Sequence, residues 1–170
     1  AKISGIYVPS LYTTIEKNNF TVLDKPLYQE VPTVIRKRYI NNLDNVYYPL
    51  SPILSAIRIV HDRINLEIMR GCTKGCRFCQ AGIIYRPKRI RSKKLLFEYA
   101  KSLYNNLGSE EITLMALNSA DYPNIGTLIK EIIDHFRPFN VSVSFPSIRF
   151  DTFTDELAQQ LKAIRATGLT

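Results

Sequence analysis

The stretch INLEIMRGCTKGCRFC, residues 64 to 79, joins a short apolar run to every cysteine in the chain. The run INLEIM (64–69) predicts a buried strand, and the cysteines follow as C-x3-C-x2-C at Cys72, Cys76 and Cys79. Three thiols cannot all pair as disulfides, and they are one ligand short of a closed zinc site. The stretch therefore predicts a site of free thiols at the end of a strand, in a reducing, cytoplasmic setting.

The chain around this stretch alternates between strands and helices. The predicted strands are INLEIM (64–69), EITLMAL (111–117) and VSVSF (141–145), and the predicted helices run from Ser92 to Gly108, from Pro123 to Pro138 and from Thr154 to Gly168. Such alternation predicts an α/β fold with a parallel sheet, either doubly wound or part of a βα barrel. In both folds the chemistry lies at the carboxyl ends of the strands, here in loops 70–91, 118–123 and 146–153.

The length of 170 residues and an apolar fraction of 45% are those of one globular domain. Residues 1–50, with several prolines and strand-like pieces at ISGIYV and PTVIRKRYI, predict an irregular lead-in, and residues 51–170 carry the strand–helix units. Three parallel strands leave an unpaired edge, and GLT at the end resembles the approach to a fourth strand. We therefore expect a piece of a longer protein, whose native start was removed or lies upstream of Ala1. We expect neither a membrane-spanning segment nor a signal peptide, because no apolar run is long enough and the first residues lack a basic stretch before an apolar one.

A net charge of +8 and a basic run from Arg86 to Lys94 indicate attraction to anions. Six of the nine residues in that run are basic. They are explained equally well by a solvated loop and by binding of a cofactor or an RNA-like, phosphate-rich substrate.

The three thiols suit an iron–sulfur cluster better than zinc. His61 lies at the far end of the predicted first strand and His135 on the second helix, so neither supplies a fourth zinc ligand. Thiolates alone can hold a [4Fe–4S] cluster, and with three of them one iron keeps an open coordination position. A zinc-stapled, basic nucleic-acid-binding module and inert thiols stay as alternatives.

The pattern C-x3-C-x2-C with Phe78 before the last cysteine resembles the signature of the radical S-adenosylmethionine (SAM) enzymes. The line LEIMRGCTKGCRFCQAGIIYRPKRIRS is similar to an uncharacterised bacterial subfamily in which a cobalamin-binding-like domain often precedes the radical SAM domain. YVPSLY, DNVYYPLSP, NSADY and SFPSIRFDTF resemble the same subfamily, so the likeness runs over essentially the whole chain. It implies a partial βα barrel of about three βα units.

The resemblance implies that Cys72, Cys76 and Cys79 each ligate one iron and that SAM chelates the fourth. Reductive cleavage of SAM would then give a 5′-deoxyadenosyl radical, which abstracts hydrogen from a substrate. A flavodoxin-like or ferredoxin-like protein is the expected reductant, and cobalamin would require a domain outside this chain. An iron–sulfur scaffold that never contacts SAM is the alternative.

The resemblance also implies SAM contacts, and each has a structural alternative. Phe78 would meet the adenine or only pack the loop. The family's Gly-Gly-Glu-like stretch is replaced here by residues 118–121, where Ser119 and Asp121 would bind the methionyl amine or cap the next helix. Arg149 would bind the SAM carboxylate or pair with Asp151, and Ser147 would reach the ribose.

Overall fold

The computed structural model describes residues 3–57, 59–149 and 151. They form two compact units, which divide between Ile40 and Asn41. The sequence predicts a boundary near residue 50, between an irregular lead-in and the radical SAM part, and this division stays a prediction. The helix expected from Thr154 and the strand expected at GLT lie outside the described residues.

The first unit contains a β-hairpin. β1 (Tyr12–Lys17) pairs antiparallel with β2 (Phe20–Pro26). Asn18 and Asn19 connect them with φ values of 50° and 63°, the left-handed conformation that two-residue hairpin turns require and that asparagine tolerates. The lead-in thus holds one regular element, whereas the two stretches proposed as strand-like, ISGIYV and PTVIRKRYI, do not form strands.

The second unit contains the alternating strands and helices. Its elements are β3 (Ile64–Glu67), β4 (Met69–Arg70), α1 (Ala81–Ile84), β5 (Arg89–Ile90), α2 (Lys93–Leu107), β6 (Glu111–Met115), α3 (Ile125–Phe136) and β7 (Ser142–Ser144). Helix α2 has the predicted bounds, with Ser92 before it and Gly108 in the left-handed conformation after it. Helix α3 begins two residues after the predicted Pro123 because Asn124 is left-handed.

A parallel sheet in the order β3–β6–β7 forms the centre of this unit. Apolar side chains alternate with polar ones along each strand, so one face is apolar, with Leu66, Leu114 and Val143, and the other is polar. Helices α2 and α3 pack against the sheet and against each other. The strands follow one another in sequence order and both crossover helices lie on the same face, as in successive units of a partial βα barrel.

The predicted first strand is interrupted at Ile68. Its carbonyl accepts from the Arg91 amide at 3.0 Å, and its own amide donates to the Met115 carbonyl at the same distance. Beyond the break, β4 pairs antiparallel with β5 instead of continuing the sheet. The interruption redirects the chain at the point where the cysteine loop begins.

The free edge of β3 is occupied by one side chain. The Tyr48 hydroxyl donates to the Asn65 carbonyl and accepts from the Glu67 amide at 3.3 Å. Burial raises the pKa of Tyr48, although the hydrogen bond with Glu67 and the charge of Arg91 counteract it. The phenol thus satisfies backbone groups that a neighbouring strand would otherwise pair.

In the part of the chain that the structure describes, no helix is both long enough and apolar enough to span a bilayer.

Candidate functional site

The three loops predicted to carry chemistry do meet at the carboxyl edge of the sheet. The first runs from β4 to β5 and holds the cysteines, the second follows β6, and the third follows β7. Direct contacts join them: Lys74 of the first loop pairs with Asp121 of the second, and Arg149 of the third reaches Cys76 of the first. The site is therefore built from residues far apart in the sequence.

The cysteine loop is closed at its base by backbone contact. Gly71 has φ +84°, and a Cβ atom there would lie 2.7 Å from the Pro87 carbonyl oxygen and closer still to that of Tyr85. Only glycine fits this close approach. The side chain of Arg89, in β5, holds the same two residues through hydrogen bonds to the carbonyls of Pro87 (2.8 Å) and Tyr85 (2.9 Å).

The cysteines are free thiols on this loop, whose base is closed by the contacts of Gly71 and Arg89. Cys72 is buried, and its sulfur accepts from the Lys74 amide at 3.4 Å, while Cys76 and Cys79 are partly exposed. The Cys79 amide donates to the Cys76 carbonyl at 3.0 Å, which folds the loop back between these two residues. Among the described residues, no three His, Cys, Asp or Glu side chains already converge as they would around a metal ion.

Arg149 connects the third loop to the cysteine loop. Its Nη1 donates to the sulfur of Cys76, and its Nε and Nη2 donate to the two carboxylate oxygens of Asp151, both at 2.9 Å. This fork of hydrogen bonds lowers the pKa of Asp151 and raises that of Arg149. The pairing with Asp151, one of the two predicted roles, is present, and Arg149 also contacts a predicted iron ligand.

Asp121 is engaged by two lysines of the first loop. Its carboxylate lies 3.4 Å from the Lys74 Nζ, and its carbonyl accepts from Lys88 at 3.4 Å. Its side chain is 13% exposed. An ammonium group entering the site would therefore share this carboxylate with Lys74, and the predicted contact to the SAM amine stays a prediction.

Ser119 and Ser147 join the second loop to the third. The Ser119 hydroxyl lies 3.0 Å from the Leu114 carbonyl oxygen and 3.1 Å from that of Pro146, and its amide donates to the Ser147 carbonyl at 3.1 Å. Ser119 is fully buried, so its geometry favours holding the two loops together over touching a cofactor. Ser147 has φ +60° and borders a cleft, where its predicted ribose contact is untested.

Asn118 belongs to the same junction. Its Oδ1 accepts from the Arg149 amide at 3.1 Å, while its Nδ2 is buried and has no hydrogen-bond partner within the described part of the chain. A buried donor without a partner costs about 1–3 kcal/mol, so a group with acceptor atoms is favoured beside it. Sequence reasoning named Asn118 only as part of the 118–121 stretch, and the unpaired amide is visible only in three dimensions.

Phe78 projects from the cysteine loop and is 92% exposed. It does not pack the loop, which was the structural alternative for this residue. An exposed ring beside Cys79 is accessible to a planar ligand, and its predicted adenine contact stays untested.

The basic run from Arg86 to Lys94 is not a uniform charged surface. Arg91 is 1% exposed: its side chain donates to the carbonyls of Glu67 (3.2 Å) and Leu43, pairs with the Glu67 carboxylate at 3.5 Å, and lies over the rings of Tyr48 and Tyr99. Arg89 is also buried. At least these two charges support the fold, which weakens the run as an argument for a phosphate-rich substrate.

A cleft of about 480 Å³ opens beside the base of the cysteine loop. Among its lining residues are Gly71, Tyr85, Met115, Ser147 and the pair Glu67–Arg70, whose hydrogen bonds measure 2.6 and 2.7 Å. The cleft lies on the face of the sheet that carries Asn65 and Glu67, and within the described part of the chain no cysteine side chain lines it. Its volume is in the range of small-molecule sites, at the base of the loop that carries the cysteines.

A family model described as "Radical SAM superfamily" matches residues 66–170. This chain belongs to the radical SAM superfamily. The match begins inside β3, includes all three cysteines and covers more than half of the chain, and it confirms the family inferred from C-x3-C-x2-C.

A relative of this radical SAM chain is an uncharacterised protein of Methanocaldococcus jannaschii. The two are 35% identical over 97 residues, which are 57% of this chain and 21% of the relative. The chain thus spans only a small part of the relative's length.

The residues of this radical SAM domain fit the cofactors that the family generally uses. Three thiols and no fourth cysteine match a cluster with one iron left for a non-protein ligand. Arg149 directs a hydrogen-bond donor at one of these thiols, Cys76. The donor set therefore suits an iron–sulfur cluster with a non-protein ligand at one iron.

Proposed function

We propose that this chain is the cluster-binding part of a radical SAM enzyme. Cys72, Cys76 and Cys79 would hold a [4Fe–4S] cluster, with SAM at the remaining iron. The contact between Arg149 and Cys76 carries the proposal, because it joins the cysteine loop to the edge of the sheet where the other two loops meet. When bound, the cluster and SAM supply one-electron cleavage of SAM and hydrogen abstraction from a substrate.

The chain's own residues contribute position and charge. The contact between Gly71 and Pro87 closes the loop that carries the thiols, and Lys74 ties that loop to Asp121. The cleft beside Gly71 gives a bound molecule a partly enclosed site. The substrate is not assigned, and a flavodoxin-like or ferredoxin-like reductant and a cobalamin domain outside this chain belong to the proposal only as expectations.

The test is anaerobic reconstitution followed by iron and sulfide analysis and electron paramagnetic resonance (EPR) spectroscopy. About four irons per chain and a signal that SAM alters are expected. Replacing each cysteine by alanine should abolish cluster binding, while Thr73→Ala, an exposed position on the same loop, should not. Because later strands of the protein would supply further contacts, we expect this 170-residue piece to release its cluster readily and to cleave SAM poorly.

Two other functions would give different results. Stoichiometric zinc without iron in anaerobically purified protein would favour a zinc-stapled nucleic-acid-binding module. A cluster whose EPR spectrum ignores SAM, with no binding in a SAM titration, would favour an iron–sulfur scaffold.

A further inference from the structure

Arg149 contacts the cysteine loop from an element far along the chain. Cys76 and Arg149 are 73 residues apart, and the guanidinium Nη1 donates to the Cys76 sulfur. A cationic donor is therefore directed at the Cys76 sulfur, where it would also act on a metal centre that this sulfur binds.

The orientation of Arg149 is fixed on two sides. Its backbone amide donates to Asn118 Oδ1 at 3.1 Å, and the neighbouring Ser147 carbonyl accepts from the Ser119 amide. Its Nε and Nη2 donate to the two carboxylate oxygens of Asp151. The Nε and Nη2 atoms, which could otherwise bind a ligand carboxylate through two hydrogen bonds, are thus already paired with Asp151. The remaining Nη1 is directed at Cys76.

From these contacts we propose that Arg149 tunes and positions the cluster through Cys76, rather than clamping the SAM carboxylate. The inference rests on the proposed function. Hydrogen bonds to the sulfurs of an iron–sulfur cluster are among the factors that set its reduction potential. A cationic donor stabilises the reduced cluster, which carries one more negative charge, so it raises the potential. Asp151 holds the donor in place and partly offsets its charge.

The experiment compares Arg149→Met with Lys88→Met in the full-length protein, reconstituted without SAM. Lys88 supplies the same charge from the cysteine loop, but its Nζ bonds the Asp121 carbonyl, not a sulfur. The measured quantity is the midpoint potential of the cluster, from a redox titration followed by EPR. Arg149→Met should reduce the equilibrium constant for one-electron reduction about tenfold, which is a midpoint about 59 mV more negative. Lys88→Met should shift it by much less.

A SAM titration of the same proteins separates the two roles of Arg149. If Arg149 acts through Cys76, the affinity for SAM should change less than threefold in Arg149→Met. An unchanged midpoint together with a large loss of SAM affinity would overturn the proposal in favour of the carboxylate clamp.

Asp151→Asn covers the case in which Arg149→Met binds no cluster. It keeps the guanidinium and removes the opposing charge, so the midpoint should become more positive, opposite in sign to the first variant. If Asp151→Asn leaves the midpoint unchanged or makes it more negative, the proposal is wrong. A wild-type protein without any cluster would instead contradict the proposed function, which makes the two failures distinguishable.

Discussion

The Cα atom of Gly71 faces the carbonyl oxygen of Pro87 so closely that a Cβ atom built on it would lie 2.7 Å away. This contact joins the two ends of the cysteine loop, and the first prediction follows from it. Gly71→Ala adds a clash with backbone and places alanine at φ +84°, so it should destabilise the fold by about 1–3 kcal/mol. Iron binding after reconstitution should fall with it.

Gly75→Ala is the matched control on the same loop. A Cβ atom there meets nothing within 4 Å. Urea denaturation and iron content should match the wild type for this variant. Equal behaviour of the two alanine variants would contradict the closing role of Gly71.

Ser119→Ala tests whether this hydroxyl holds the loops or binds the cofactor. The substitution removes the one hydroxyl proton that lies between the carbonyls of Leu114 and Pro146, so the free energy of unfolding should drop by about 1–2 kcal/mol. The urea midpoint of the cluster-free protein measures it. Unchanged stability combined with weakened SAM binding would support the direct contact inferred from the sequence.

Arg91→Met removes a buried cation that directly follows β5. The Glu67 and Leu43 carbonyls would lose their donor, and the free energy of unfolding should fall by about 2–4 kcal/mol. Lys94→Met, an exposed position in the same basic run, should change it by less than about 0.5 kcal/mol. Similar losses in both variants would refute the structural role of Arg91.

Glu111 should contribute to stability in a pH-dependent way. Burial raises its pKa, but hydrogen bonds from Ser144 and Arg63 outweigh this, so the pKa in the folded protein lies below its usual 4.5. A lowered carboxyl pKa stabilises the fold above about pH 4.5, and the contribution is lost as the pH falls through the folded-state value. Because the pair with Arg63 is partly exposed, the effect should be about 0.5–1 kcal/mol.

Urea midpoints between pH 7 and pH 3 measure this contribution. Glu111→Gln should be less stable than the wild type at pH 7 and should lose less stability on acidification. Parallel pH profiles for the two proteins would exclude the pair with Arg63 as a source of acid sensitivity.

Local signals made part of this structure predictable. Ser92 and Gly108 delimit α2 because helix ends depend on the residues that flank them. The order of strands and helices was readable because apolar residues recur at different spacings in the two elements. The cysteine spacing indicated the family on its own.

Other features depend on contacts between distant residues. Nothing near Arg91 marks it as buried, since its partners Leu43 and Glu67 come from other parts of the chain. Strands β4 and β5 have two residues each, too few for a recognisable sequence pattern. The hairpin turn at Asn18 and Asn19 lacks the glycine that such turns usually contain. Likewise, the roles of Ser119 and Asn118 appear only when the loops after β6 and β7 are brought together.

The Tyr48 hydroxyl on the outer edge of β3 has a consequence for how the sheet can grow. A strand approaching β3 from that side would have to displace the phenol from Asn65 and Glu67 before forming its own ladder. While the phenol stays in place, this edge of the sheet is therefore closed to a further strand.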